Sequence, residues 1–87
     1  YKENVRPIEG ALNSIKRLVG VTYDRLDGSA TAEPGLIAEE VAKILPNVVK
    51  YNDDETADGI TYTKLTAYLI EAVKELTAEV ETLKGRN

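Results

Sequence analysis

The sequence has 87 residues, of which 43% are hydrophobic and 30% charged, and its formal net charge is −4 at pH 7. It contains neither Cys nor His, which excludes disulfides, thiolate nucleophiles, imidazole bases and ordinary zinc sites. The acidic balance argues against a nucleic-acid partner. No apolar run approaches the roughly 20 residues that span a bilayer, and no signal peptide opens the chain. We therefore expect no metal, cofactor, nucleic acid or membrane partner.

A chain of this length forms one small domain, which is only marginally stable by itself. Small domains often gain stability from oligomerisation, disulfides or a bound metal, and without Cys and His this chain is left with oligomerisation. The first residue is Tyr1 rather than an initiator Met. We therefore expect a fragment, a processed product or the ordered part of a longer protein.

The first third of the chain predicts a helix, a strand and a loop in that order. Apolar residues at helical spacing predict a helix from Pro7 to Leu18, with Pro in the first turn, where its missing N–H costs nothing. Alternation then predicts a short strand from Val21 to Tyr23, with Leu26 as a candidate last member. The small and polar run from Asp27 to Gly35 is typical of a loop.

The middle third predicts a second helix and two further short strands. A helix over Ile37 to Leu45 ends at Pro46, which disfavours helical geometry in the residue before it. Its apolar face comprises Ile37, Val41, Ile44 and Leu45. A strand at Val48–Tyr51 is followed by an acidic turn at Asn52–Glu55 and a break at Gly59. Alternation at Ile60 and Tyr62 indicates a third strand, or an extended entry to the next helix.

The last element is a long amphipathic helix from about Tyr62 to Lys84, with Thr63 as its expected N-cap and Gly85 after its end. Apolar residues recur along it at alternating spacings of three and four, which is typical of a coiled-coil seam. The seam comprises Leu69, Val73, Leu76, Val80 and Leu83, with Thr66 and Tyr62 extending it backwards. The sequence thus predicts an α+β fold in which two short helices and a few short strands precede this helix.

Two interpretations of the long helix remain open at this point. It can lie as an ordinary surface helix over a core, although so short a chain leaves little core to cover. Alternatively, the seam can pair with other copies, with Glu79 and Lys84 placed for an ion pair between chains. A second stripe of Leu65, Ile70 and Ala72 predicts that the first half of the helix packs on its own domain. The pattern leans towards two strands but does not decide their number.

Four segments, taken together and in order, resemble a known family. They are YKENVRPIEGAL, GVTYDRLDG, GLIAEEVAKILPNVV and GITYTKLTAYLIEAVKELTAEVETLK, which cover nearly the whole chain. They are similar to the intramolecular chaperone domain at the C-terminus of phage tail fibres, tailspikes and endosialidases. The family usually has Gln where this chain has Glu39, which discourages assigning that position a role.

The resemblance implies a homotrimer. Residues 1–62 would form the globular chaperone and autoprotease part, and residues 63–87 would form the trimerisation helix, which is a coiled coil in the trimer. Its partner would be the upstream fibre or tailspike polypeptide of the same protein, whose β-structured stalk it brings into register. It would act in the host cytoplasm during virion assembly and then leave the fibre by autoproteolysis. Loops carry binding functions, so the loop at Asp27–Gly35 is a candidate contact with the fibre, or an inert connector.

The resemblance also implies a Ser–Lys dyad. The family cleaves before the Ser of a Ser-Asp-x-Arg-x-Lys motif, and Lys2 falls on the dyad Lys, so the Ser would stand four residues before Tyr1. A Ser hydroxyl needs an adjacent base, and a desolvated Lys amine can serve as one. We therefore expect this chain alone to be inactive. The alternative interpretation of Lys2 is a solvated side chain near a frayed terminus.

The remaining clusters of charged residues are more typical of a solvated surface than of a catalytic or metal-binding site. Glu39 and Glu40 are neighbours on a helix and point in different directions. The acidic run Asp53–Glu55 lacks the alternation and closing Glu of a calcium loop, and the pair Lys16–Arg17 fits exposed helix. Besides the self-cleaving chaperone, the sequence leaves open a trimerisation cap that is never cut and a coiled-coil adaptor from an unrelated protein.

Overall fold

The computed structural model describes residues 1–85 and has the predicted α+β architecture. Its elements, in chain order, are α1 (Ala11–Lys16), β1 (Val21–Tyr23), β2 (Glu33–Gly35), α2 (Ala38–Ala42), a 3-10 turn (Pro46–Val48), β3 (Val49–Tyr51), β4 (Ala57–Ile60) and α3 (Tyr62–Lys84). The strands form two separate antiparallel hairpins, β1–β2 and β3–β4. The predicted range 63–87 also includes Arg86 and Asn87, which lie outside the described residues.

Helix α1 is shorter than predicted at both ends. It begins at Ala11 rather than Pro7 because Gly10, the residue before it, has φ +69°, a left-handed conformation that no α-helix contains. It ends at Lys16, and Leu18 lies beyond it. Residues 1–7 form an exposed arm in front of α1, with a bend at Asn4.

The first hairpin corrects the predicted loop. Strand β1 is confirmed at Val21–Tyr23, but the end of the loop, Glu33–Gly35, is strand β2, which pairs with β1 in antiparallel register. Leu26 is fully exposed in the connection rather than part of β1. Gly35 lies close to Tyr23, since a Cβ at this position would be 2.8 Å from the Tyr23 ring.

Helix α2 begins at Ala38, one residue later than predicted, and its apolar face points into the core at Val41. Leu45 has φ −131° and ψ 73°, a non-helical conformation, in agreement with the predicted effect of Pro46. Pro46 also opens the short 3-10 turn. Ile37 is the exception on the predicted face, because it precedes the helix in an extended conformation and stays exposed.

The second hairpin contains the two remaining strands. In it Val49 pairs with Ile60, and the register shifts between Lys50 and Tyr51. Gly59 lies within β4, so the predicted break at this position is wrong. The strand stops at Ile60, and Tyr62 already belongs to α3, whose N-cap is Thr61 rather than Thr63.

The core is small and lies where α2, the second hairpin and the start of α3 meet. Its buried members are Val41, Leu45, Val48, Val49 and Leu65. The radius of gyration is 16.4 Å, against about 12 Å for a compact domain of this length. The excess arises because α3 is about 35 Å long and extends past the core.

Candidate functional site: the seam of α3 and the amino-terminal arm

Helix α3 packs on its own domain through one stripe of residues, which we call the domain stripe. The stripe comprises Leu65, Tyr68, Ala72 and Glu75, whose spacings of three and four place them on one face of the helix. Leu65 and Ala72 are buried, with 6% and 4% exposure, and Tyr68 packs against the core. Tyr68 also exchanges hydrogen bonds with Asn47, the shorter of which is 2.9 Å. This stripe holds the first half of α3 to the domain.

The prediction for this half of α3 was correct for two residues and wrong for one. Leu65 and Ala72 pack on the domain as expected. Ile70 does not, since it keeps 55% exposure. The helical period explains the difference, because Ile70 is out of phase with the stripe that Leu65 and Ala72 share.

The second stripe of α3 is the predicted seam, and we keep that name for Leu69, Val73, Leu76, Val80 and Leu83. Each of these side chains keeps between 41% and 60% exposure. From Leu76 to Gly85 every residue of the helix is exposed, so the second half of α3 projects beyond the domain. Among the described helices, none is long and apolar enough to span a bilayer. The seam is thus an apolar strip on a helix that its own domain does not cover.

The amino-terminal arm holds the predicted dyad residue. Lys2 is exposed, and its Nζ lies 5.8 Å from the centre of the Tyr1 ring. Within residues 1–85, none of the hydrogen bonds involves residues 1–9. Lys2 thus has no hydrogen-bonding partner within residues 1–85, and the arm leads directly to the start of α1.

A long-range contact, which sequence reasoning missed, fixes the start of α1. The backbone amides of Ala11 and Leu12 donate to Oε2 of Glu75, at 2.8 and 3.3 Å. Gly10, the N-cap residue, has no side chain that could accept these bonds. A cap-less helix start indicates that an acceptor must come from elsewhere, but nothing in the sequence selects Glu75 from the 15 acidic residues.

The acidic groups that the sequence singles out are exposed, and two of them form local contacts. Glu40 lies 3.4 Å from Lys43 in an exposed ion pair, and Glu39 is exposed beside it. In the second hairpin, the side chain and amide of Thr56 donate to Asp54, and these bonds lower the pKa of its carboxyl group. Within residues 1–85, no three acidic side chains gather as metal ligands.

The predicted contact loop is an ordered connection rather than a loose one. Asp24 accepts a hydrogen bond of 2.7 Å from the amide of Ala32, which closes the base of the loop. Arg25 pairs with Glu33 at 2.9 Å across the same base. At the tip, bonds from Ser29 lower the pKa of the Asp27 carboxyl group. Whether this loop contacts a fibre stays a prediction.

Comparison with known proteins places the chain in a family. The sequence model of the family described as chaperone of endosialidase matches residues 1–50. The match runs from the arm into β3 and covers more than half of the 87 residues. The chain belongs to the chaperone of endosialidase family. This confirms the resemblance drawn from the four sequence segments.

Individual relatives extend the match through α3. The chain is 35% identical to the long tail fiber protein Gp37 of Enterobacteria phage K3 and also to that of phage T2, in each case over 98% of this chain. It is 33% identical to Gp37 of Salmonella phage S16 over 95% of the chain. The chain spans only 7% of the length of the first two relatives and 12% of the third.

Proposed function

We propose that this endosialidase-chaperone domain is an intramolecular chaperone of a phage tail fibre. It assembles three copies through the seam of α3, and so brings three upstream fibre polypeptides into register in the host cytoplasm. It is then released by autoproteolysis just upstream of this chain, before a Ser four residues ahead of Tyr1, with Lys2 as the base. The family membership and the tail fibre relatives support this proposal.

The observation that carries the proposal is the uncovered seam. Five apolar side chains that are half-exposed along one strip of a helix are costly to leave in water, at roughly 25 cal/mol for each Å². Their spacing suits burial against the same strip of another copy. The spacing by itself favoured two copies, and the number three follows from the family resemblance.

Assembly is tested on the chain itself by native mass spectrometry at micromolar concentration. We expect a trimer for the wild-type chain and a monomer for Leu76→Asp, because a carboxylate cannot be buried at the centre of the seam without a partner. Ala78→Asp is the matched control, since it adds the same charge to an exposed position of the same helix outside the seam. A wild-type monomer, or a trimer that survives Leu76→Asp, would contradict the proposal.

Autoproteolysis is proposed from the family resemblance, in which Lys2 falls on the dyad Lys. The neutral Lys2 amine would take the proton of the Ser hydroxyl four residues before Tyr1, and the Ser oxygen would attack the carbonyl carbon of the residue before it. An ester would form as the peptide C–N bond breaks, the leaving amine would take up the proton, and water would then hydrolyse the ester. The products would be a carboxylate on the fibre and a free amine on the Ser. In the single chain Lys2 is exposed. Covering the arm on assembly would exclude water and favour the neutral amine, which couples cutting to folding.

The cutting step is tested in the natural fibre polypeptide that carries this sequence. We expect self-cleavage in the wild type, its loss in Lys2→Ala, and its retention in the matched control Lys16→Ala, which changes an exposed helix residue. Leu76→Asp should also prevent cutting if assembly comes first. Normal cutting by a monomeric Leu76→Asp variant would disprove the coupling, and a wild type that never cuts would leave a structural trimerisation cap.

A further inference from the structure

We infer that Glu75 is a positioning residue, which ties the arm that carries Lys2 to the helix that carries the seam. The inference rests on the proposed function and adds a residue to it. Glu75 reaches from α3 to the start of α1, where Ala11 is 64 residues away from it in the sequence. Through this contact, the position of α3 fixes the point at which the arm joins α1.

The contact is one that α1 needs. A helix of six residues is too short to be stable unless other parts of the protein hold it. Its first amides have no partners within the helix, and Gly10 supplies no capping side chain. A carboxylate at this end forms charge-assisted hydrogen bonds and faces the positive end of the helix dipole. Glu75 therefore replaces the missing local cap.

The position of Glu75 on α3 links this cap to assembly. Ala72, one turn earlier, is buried against the domain, and Leu76, the next residue, belongs to the seam. The same turn of α3 thus contacts α1 on one side and offers the seam on the other. Packing of Leu76 against other copies would fix this turn, and with it the Glu75 carboxylate.

The arm joins the domain at the start of α1, where the burial of Ala11 and the two hydrogen bonds to Glu75 hold the chain. Residues 1–7 are exposed, and Gly10 turns the chain directly before Ala11. Ala11 itself is fully buried, so the chain is fixed at this residue and free before it. Loosening the start of α1 would widen the range of positions that Lys2 samples. A base that is displaced by about 1 Å can lower a rate by about a hundredfold.

The test uses the natural fibre polypeptide with Glu75→Ala, and with Glu75→Gln as the conservative variant that keeps an oxygen acceptor. Glu81→Ala is the matched control, because Glu81 is an exposed Glu of the same helix outside both stripes. Two quantities are measured in each variant: the self-cleavage rate of the assembled trimer, isolated at low temperature, and the exchange rates of the Ala11 and Leu12 amides.

We expect Glu75→Ala to assemble, to cut at least tenfold more slowly per trimer, and to exchange both amides at least tenfold faster. Glu75→Gln should recover part of both losses, and Glu81→Ala should change neither. A purely structural role would lower the yield of trimer but leave the rate per trimer unchanged. That result, unchanged amide exchange, or the failure of both Glu75 variants to assemble would overturn the inference.

Failure of the inference differs from failure of the proposed function. If the wild type does not cut, or if Lys2→Ala cuts as the wild type does, the Ser–Lys proposal is wrong. If the wild type cuts, Lys2→Ala does not, and Glu75→Ala trimers cut at the full rate, only the role of Glu75 is wrong.

Discussion

The two stripes of α3 carry apolar side chains at the same helical spacing but in opposite surroundings. In the first half, Leu65 and Ala72 are buried against the domain, and Glu75 closes the stripe by bonding to α1. In the second half, Leu76, Val80 and Leu83 have the same spacing and lie in solvent. Within the chain the helix forms one interface, through the domain stripe, and a second one, through the seam, stays a proposal.

This comparison shows which structural conclusions the spacing of apolar residues along a helix allows. It indicates that a face of the helix is to be buried. It does not indicate whether the covering surface comes from the same chain or from another. The five-residue core does not cover the second half of α3, so burial of that half against other copies stays a proposal.

The largest expected effect comes from the same substitution in the two stripes. Leu65→Ala removes a buried side chain and should cost about 2–5 kcal/mol of the free energy of unfolding, a large share for a domain this small. Leu76→Ala removes a half-exposed side chain and should leave the stability of the single chain nearly unchanged while it weakens association. Urea unfolding over a range of protein concentrations separates the two effects.

Equal losses for both variants at the lowest concentration would break the comparison, since Leu76 would then belong to the core of the single chain. Both changes replace Leu with Ala in the same helix, so helix propensity contributes little to any difference. The concentration dependence of the unfolding midpoint should persist in Leu65→Ala and fall in Leu76→Ala.

The sequence predicted the long uninterrupted helix well, but it missed the start of a short helix and one short strand. The bounds of α3 were predicted from Tyr62 to Lys84 because no Gly or Pro interrupts its period. The start of α1 was missed because Gly10 has a positive φ, which the period of the following residues does not show. Strand β2 was missed because Glu33-Pro34-Gly35 has no alternation, and its pairing depends on the partner strand β1.

In the candidate site, too, one feature could be predicted from the sequence and another could not. The seam could be predicted because each of its residues follows the period of one helix, and the structure leaves all five exposed. Glu75 could not, because its partners are backbone amides 63 and 64 residues away, and any residue type presents such amides. Contacts between a side chain and a distant backbone leave no pattern in the sequence.

A smaller effect is expected from Gly35→Ala, which tests whether damage to the domain spreads to the seam. The new Cβ would lie 2.8 Å from the Tyr23 ring, so the ring must move. Because a half-buried ring can move, we expect a loss of about 1 kcal/mol, at the low end for overpacking. Thermal unfolding should show partial recovery when Tyr23→Leu is added. Association should stay unchanged, and a weaker trimer would show that the hairpin and the seam are coupled.

The smallest effect is expected from acid at the turn of the second hairpin. Hydrogen bonds from Thr56 lower the pKa of the Asp54 carboxyl group below its usual value of 3.8. A lowered pKa in the folded state means that the unfolded state binds the proton more readily, so this stabilisation is present above pH 3.8 and is lost as the pH falls through the lower folded value. In Asp54→Asn, the drop in stability below pH 3.8 should be slightly shallower than in the wild type. Asp53→Asn, the exposed neighbour, is the control. An equal change in both variants, or a change in association, would assign the effect to overall charge rather than to this turn.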